Sequence, residues 1–172
     1  MVGNFAFIDS QNLNLGVKSD GWSLDFKKFR LYLKNKYKVS RAFLFIGFIK
    51  GNEKLYRDLE RYGYELVYKP TLGYQKDGIY TIKGNVDVEL VINVMLLMDS
   101  FQKAVIVSGD GDFYSLIDLL FKRDKLEKVI VPNYRYSSLL KKYISSDYIQ
   151  PLRPFRNVLE EKKRGIHGRS KP

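Results

Sequence analysis

The chain has 172 residues, 45% of them hydrophobic with 13 Tyr and 11 Phe, and sets 30 Lys plus Arg against 19 Asp plus Glu for a formal net charge of +11. That is room for one folded domain with a real core, and a charge suited to a polyanion such as nucleic acid. There is no cysteine and a single histidine, His167, in a Gly/Lys/Arg-rich C-terminal stretch, which excludes disulfide frameworks, thiolate metal sites, cysteine nucleophiles and hydrolysis by Ser-His-Asp or histidine pairs.

Any catalyst must therefore be built from carboxylates, amides, hydroxyls and lysines. The longest strongly apolar segment, Leu90 to Met98, is interrupted by Asn93 and falls short of the roughly 18 residues a membrane span needs. The N-terminus has no signal-peptide pattern, so a cytoplasmic protein is expected.

Apolar runs predict strands at Phe5 to Asp9 (FAFID), Val39 to Ile49, Tyr64 to Pro70, Lys103 to Ser108 and Glu127 to Pro132. Helical patterns lie between them. The first follows Ser23, its expected N-cap, with Asp25 in the first turn; the second, NEKLYRDLERYG, stops on Gly63. The third, VDVELVINVMLLMDSF, is apolar almost all round, with Glu89 and Asn93 as its polar stripe, and reads as a helix covered on most sides. FYSLIDLLFKR and SSLLKKYISS supply two more.

The alternation predicts an α/β, Rossmann-like fold: a mostly parallel sheet of about five or six strands with helices on both faces. Asp77-Gly78 marks a hairpin turn before the apolar helix. Residues 1–152 form the expected domain and residues 153–172 a basic, partly flexible tail.

In an open parallel sheet the ligand site lies outside the carboxyl ends of the strands, where connections diverge to opposite faces. Asp9 ends the first strand with Asn12 three residues on; Asp110 and Asp112 follow the fourth in VSGDGDF; Asp87 opens the apolar helix. Two carboxylates about 4 Å apart repel by roughly 4 kcal/mol at an effective dielectric of about 20. A cluster of them needs raised pKa values or a hard divalent cation, Mg²⁺ or Mn²⁺, which suits an all-oxygen site and needs no histidine. Each acid also has a structural duty open to it: Asp112 could cap the following helix, Asp110 serve the turn, and Asp87 favour a helix N-terminus, whereas Asp9, closing an apolar strand, has fewer.

FIDSQNLN, KGNVDVELVINVM, VSGDGDFYSLI and SSLLKKYISSDYIQPL, in that order across roughly residues 4 to 152, resemble the NYN branch of the PIN-like nucleases, which includes LabA-like proteins. The resemblance implies a Rossmann-like sheet with an acidic pocket at its carboxyl edge, divalent metal binding, and RNA cleavage in many members. By position it implies that Asp9 and Asn12 are the first-strand acid and amide, Asp87 the mid-chain acid, and Asp110 and Asp112 the acids of the SGDxDF motif, with Ser108 orienting that turn. It departs from the family at Asn93, where many relatives have a second helical acid.

Basic residues interleaved with aromatics, Lys76, Tyr80 and Lys83 in the hairpin segment and Tyr134, Arg135 and Tyr136 after the fifth strand, suit single-stranded RNA. Lys83, which leads into the Asp87 segment, is the candidate to hold the scissile phosphate. The expected function is thus an Mg²⁺- or Mn²⁺-dependent ribonuclease. The alternative is a non-catalytic nucleic-acid-binding or adaptor module with the same fold. A phosphatase with Asp9 as nucleophile is disfavoured because residue 11 is Gln, not the second acid of Asp-x-Asp. The apolar helix leaves a homodimer open.

Overall fold

Strands that are apolar on both sides are stable only where helices cover both faces of their sheet. The computed structural model describes residues 3–68, 72–76, 79–83 and 86–162, with the backbone alone for 72–76, 79–83 and 86. Its elements are β1 (Asn4–Asp9), α1 (Ser10–Ser19), α2 (Phe26–Tyr37), β2 (Val39–Ile46), α3 (Glu53–Arg61), β3 (Glu65–Tyr68), β4 (Leu72–Lys76), β5 (Ile79–Lys83), α4 (Val86–Leu96), β6 (Ala104–Val107), α5 (Tyr114–Lys122), β7 (Leu126–Val131), α6 (Ser138–Tyr143), β8 (Ile149–Pro151) and α7 (Arg156–Leu159).

Six strands pair in parallel in the order β3-β2-β1-β6-β7-β8. β4 and β5 form a separate antiparallel ribbon, while the Asp77-Gly78 turn expected to join them lies outside the described residues.

Alternation along the strands sorts side chains into two cores. Phe5, Phe7, Phe43, Phe45 and Ile106 enter the core under α4, α5 and α6, whereas Ala6, Ile8, Leu44, Val105 and Ile130 enter the one under α1, α2, α3 and α7. Phe7 on the central strand is fully buried, stacked on Phe43 at 5.3 Å and edge-on to Phe101 at 5.6 Å.

Several expectations change in detail. The strand foreseen through Ile49 stops at Ile46, and Phe48 and Ile49 are exposed. α2 is capped by Asp25, which accepts from the Lys28 N–H at 3.0 Å, and not by Ser23. The chain at Ser23 is extended instead: Leu24 bridges Glu160, and the Ser23 carbonyl accepts from the Glu161 N–H.

α4 buries Leu90 and Val94, but Val88, Ile92, Met95 and Leu96 are exposed, so its outer face is not covered among the described residues. Beyond residue 152 the chain forms a 3₁₀ turn and then α7, which buries Leu159 under the sheet. Residues 163–172, with His167, lie outside the described part. Among the described residues no helix is long and apolar enough to cross a membrane.

Phe7→Ala should lower unfolding stability by about 3–5 kcal/mol in urea titrations, the usual cost of emptying a buried aromatic site. A loss below about 1 kcal/mol would place the core's centre elsewhere.

Candidate functional site

The connection after β1 runs through α1 and α2 on one face of the sheet, and the connection after β6 runs through α5 on the other. A crevice therefore opens between β1 and β6 at their carboxyl ends, the switch point at which such sheets bind ligands. Asp9 continues the alternation of Phe5 and Phe7, and Ser108 that of Ala104 and Ile106, so both project toward α4. The parallel register pairs Ile8 with Val107, which sets Asp9 beside Ser108, whose hydroxyl donates to Asp9 Oδ2 at 3.4 Å.

Asp9 has a structural duty that its place at a strand end conceals. It is the N-cap of α1, and its Oδ1 accepts from the Asn12 N–H at 3.1 Å. The Asn12 side chain then crosses the crevice: its Oδ1 accepts from the Gly109 N–H at 2.8 Å. The Ser108 hydroxyl oxygen also accepts from the Asp110 N–H at 3.2 Å, which ties it to the turn that follows. Asp110 caps the short 3₁₀ turn Gly111–Phe113 by accepting from the Asp112 N–H at 3.0 Å, and Asp112 is exposed.

α4 runs from the β3 side of the chain back to the start of β6, antiparallel to the strands, and packs on β1 and on the Gly111–Phe113 turn. Its first turn, with half-buried Asp87, therefore stands at the same carboxyl edge.

Asp9 is only 5% exposed. Burial pushes its carboxyl above the ordinary value of 3.8, against the pull of the Asn12 N–H, the Ser108 hydroxyl and the Gln11 N–H, and the neighbouring Asp110 charge pushes it further up. A cation would relieve both pressures.

Among the described residues, no three acidic or histidine side chains gather closely enough to hold a metal ion by themselves. The physical reason is local: Asp9 and Asp110 are each turned toward a backbone N–H, and like charges gain nothing by closing further. The donor set nevertheless fits Mg²⁺ or Mn²⁺, since Mg²⁺ is commonly held by one or two carboxylates with waters and substrate phosphates completing its shell. Asp9 and Asp110 would be the two carboxylates of such a set.

The remaining expected residues divide. Asn93 turns its amide to the Glu89 carbonyl one turn back, at 2.9 Å, and serves its own helix. Lys76, Tyr80 and Lys83 lie on the β4–β5 ribbon with side chains outside the described part. Tyr134 is exposed and Tyr136 half-buried, with the Lys141 ammonium 4.9 Å from the Tyr136 ring centroid. Arg135 is tied back: its Nη2 donates to Ser19 O, Ser19 Oγ and Asp20 Oδ1 at 2.9–3.0 Å.

Sequence reasoning missed Asn133, a buried amide that donates to the Gly16 carbonyl at 2.7 Å and accepts from the Arg135 N–H at 2.7 Å. It also missed Gly16, where any Cβ would collide with the Pro132 ring. A glycine inside a polar, weakly helical stretch was the available signal.

The model of the NYN domain family matches residues 5–163. "Low amplitude and bright protein LabA" of Synechococcus elongatus is 27% identical over 121 residues, which cover 66% of this chain and 65% of that protein, a little under two thirds of its length. The crystal structure of VPA0982, a protein of unknown function from Vibrio parahaemolyticus, matches with a TM-score of 0.66 over 86% of this chain and 96% of its own, at 22% identity, a likeness of fold.

Because the folded Asp9 carboxyl holds its proton to higher pH than the unfolded chain, its contribution to stability is complete below pH 3.8 and is lost as pH rises through the raised folded value. Asp9→Asn keeps an acceptor for the cap and cannot ionise. Without divalent cations it should raise the urea midpoint at about pH 7 and leave it nearly unchanged at about pH 3.5. A lower midpoint at about pH 7 would contradict this.

Proposed function

The chain belongs to the NYN domain family, and on that premise we propose that it is a metal-dependent ribonuclease that hydrolyses phosphodiester bonds of single-stranded RNA at the β1/β6 crevice. The observation that carries the reading is the Asp9 carboxylate, buried at the switch point beside Asp110 and destabilised by both burial and that neighbour. A purely structural cap has no need of a second acid near enough to raise its pKa, and an uncompensated buried charge is costly.

Asp9 and Asp110 would hold Mg²⁺ or Mn²⁺, with Asp87 and Asp112 at the rim. Bound there, a divalent ion supplies Lewis-acid chemistry, lowering the pKa of water and offsetting charge on a phosphate. The protein's own groups do the positioning. Ser108 fixes the orientation of Asp9 and the path of the Asp110 turn through its two hydrogen bonds. Asn12 has its oxygen engaged by Gly109, which leaves one amide N–H free to donate to a phosphate oxygen and a second for another ligand group. The net charge of +11 favours the RNA backbone around this acidic point.

A second reading, a binding module without turnover, is favoured by Asn93, whose amide is spent on its own helix where an acid would add charge.

With a labelled single-stranded RNA and Mn²⁺, the native chain should cleave and Asp9→Asn should lose at least about 100-fold in rate, while RNA affinity stays equal or rises as a negative charge is removed. Cleavage retained by Asp9→Asn would overturn the assignment, and binding without cleavage across Mg²⁺ and Mn²⁺ would favour the second reading.

A further inference from the structure

Beside the acidic pair, on the α1 side of the crevice, lies a cleft of about 300 Å³ lined by Asn12, Leu15, Pro132, Arg135 and Tyr136, with Gly16 and Gly109 at its base. This is the small end of the range for ligand clefts. We propose that it is a base subsite: it takes one unpaired nucleobase of the RNA next to the phosphate bound at the β1/β6 crevice, an inference that rests on the nuclease reading above.

The walls are built and braced. A Cβ at Gly16 would strike Pro132, and one at Gly109 would lie 3.1 Å from Tyr136 Cβ and 3.4 Å from Pro132 Cδ, so both glycines exist to let the loop after β7 close on α1 and on the SGDGD turn. Asn133 bonds that loop to Gly16 and Ser19, and the Gly109 carbonyl accepts from the Ser137 N–H at 2.9 Å. Such a cleft has little ordering left to undergo when a ligand enters.

Its chemistry selects a base. Leu15, 58% exposed, and Pro132 give it apolar surface, and Tyr136, whose ring also packs against the core under α4, α5 and α6, closes one side. Most polar groups are already satisfied: Asn133 by Gly16, Ser19 and Arg135, and Arg135 Nη2 by Ser19 and Asp20. What remains for a ligand is the Asn12 amide nitrogen and the Tyr136 hydroxyl, hydrogen-bonding groups suited to a base edge. Among the described residues no carboxylate lines the cleft, and the Arg135 and Lys141 charges stand beside it, so the anionic backbone is not repelled. Arg135 is thereby a buttress of the wall, and Asn12 joins the two subsites, its oxygen tied to the turn and its nitrogen open to substrate.

The test is fluorescence anisotropy on the full chain carrying Asp9→Asn, so that RNA survives. It compares a single-stranded 8-mer with an abasic 8-mer of the same phosphate count. The base subsite predicts tighter binding of the RNA than of the abasic chain, a loss of about 5- to 100-fold on RNA for Tyr136→Ala as expected for one lost stacking partner, and less than about 2-fold on the abasic chain. Tyr136→Phe should recover most of the affinity. Leu15→Arg fills the cleft while adding a positive charge, so RNA affinity should fall where a merely electrostatic surface would gain.

Equal losses on both oligomers, no loss with Tyr136→Ala, or tighter RNA binding by Leu15→Arg would overturn the subsite. Each of these results, alongside metal-dependent cleavage by the native chain, leaves the nuclease reading standing; base-dependent binding with no cleavage does the reverse. Absence of binding to either oligomer overturns both.

Discussion

A hydrogen bond of 2.8 Å, from the Gly109 amide to Asn12 Oδ1, closes the gap between the two halves of the sheet where no strand pairing can. β1 and β6 are paired only as far as Ile8 and Val107. Beyond that point their chains leave for opposite faces, and side chains must do what ladders did below. Asn12 reaches that position because Asp9 caps α1, and Ser108 answers from the other side by bonding both Asp9 and the Asp110 amide. The bond itself contributes about 0.5–1.5 kcal/mol. Its larger effect is geometric, since it sets the distance between the acidic turn and the helix that carries the opposing wall.

That arrangement keeps a carboxylate where solvent would not. Asp9 is nearly inaccessible, its charge is disfavoured by burial and by Asp110, and the hydrogen bonds it accepts offset only part of this. A site that stores electrostatic cost in this way is set to gain from a cation and a phosphate arriving together, each reducing the desolvation penalty of the other. On the proposed reading, the net charge of +11 would favour the anion, and the acidic pair would confine where the cation sits. The cleft on the α1 side adds a partly apolar compartment beside them, so the proposed charge handling and base contact would fall on separate walls joined by one side chain, Asn12.

Much of the fold was legible because its strands are buried on both faces and so write continuous apolar runs such as FAFID and KAVIV, bounded by turn residues. α1 was not legible. Two Asn, two Ser and a Gly in ten residues carry weak helix propensity, and the helix exists because Asp9 caps it and Gly16 lets it dock on Pro132. The same hidden helix explains why Asp9 looked to have fewer structural duties than the other acids.

The placement of Asn12 at the crevice followed from spacing and topology and that of Ser108 from the family resemblance, while Asn133 followed from neither, because a buried amide that bonds backbone groups distant in sequence leaves no periodic trace. The outer face of α4 misled in the opposite direction: Val88, Ile92, Met95 and Leu96 have the composition of a core face and are exposed. Arg135, expected among the residues that bind nucleic acid, has its Nη2 bonded to Ser19 and Asp20, a partnership invisible in sequence at a separation of more than a hundred residues.

The central claim is that a divalent cation binds at Asp9 and Asp110. Its most direct test is the paramagnetic broadening of backbone amide resonances on adding Mn²⁺ to the native chain. The account predicts broadening centred on residues 9–12 and 108–112, and its loss in Asp110→Asn. Broadening centred elsewhere, or unchanged in that variant, would contradict it.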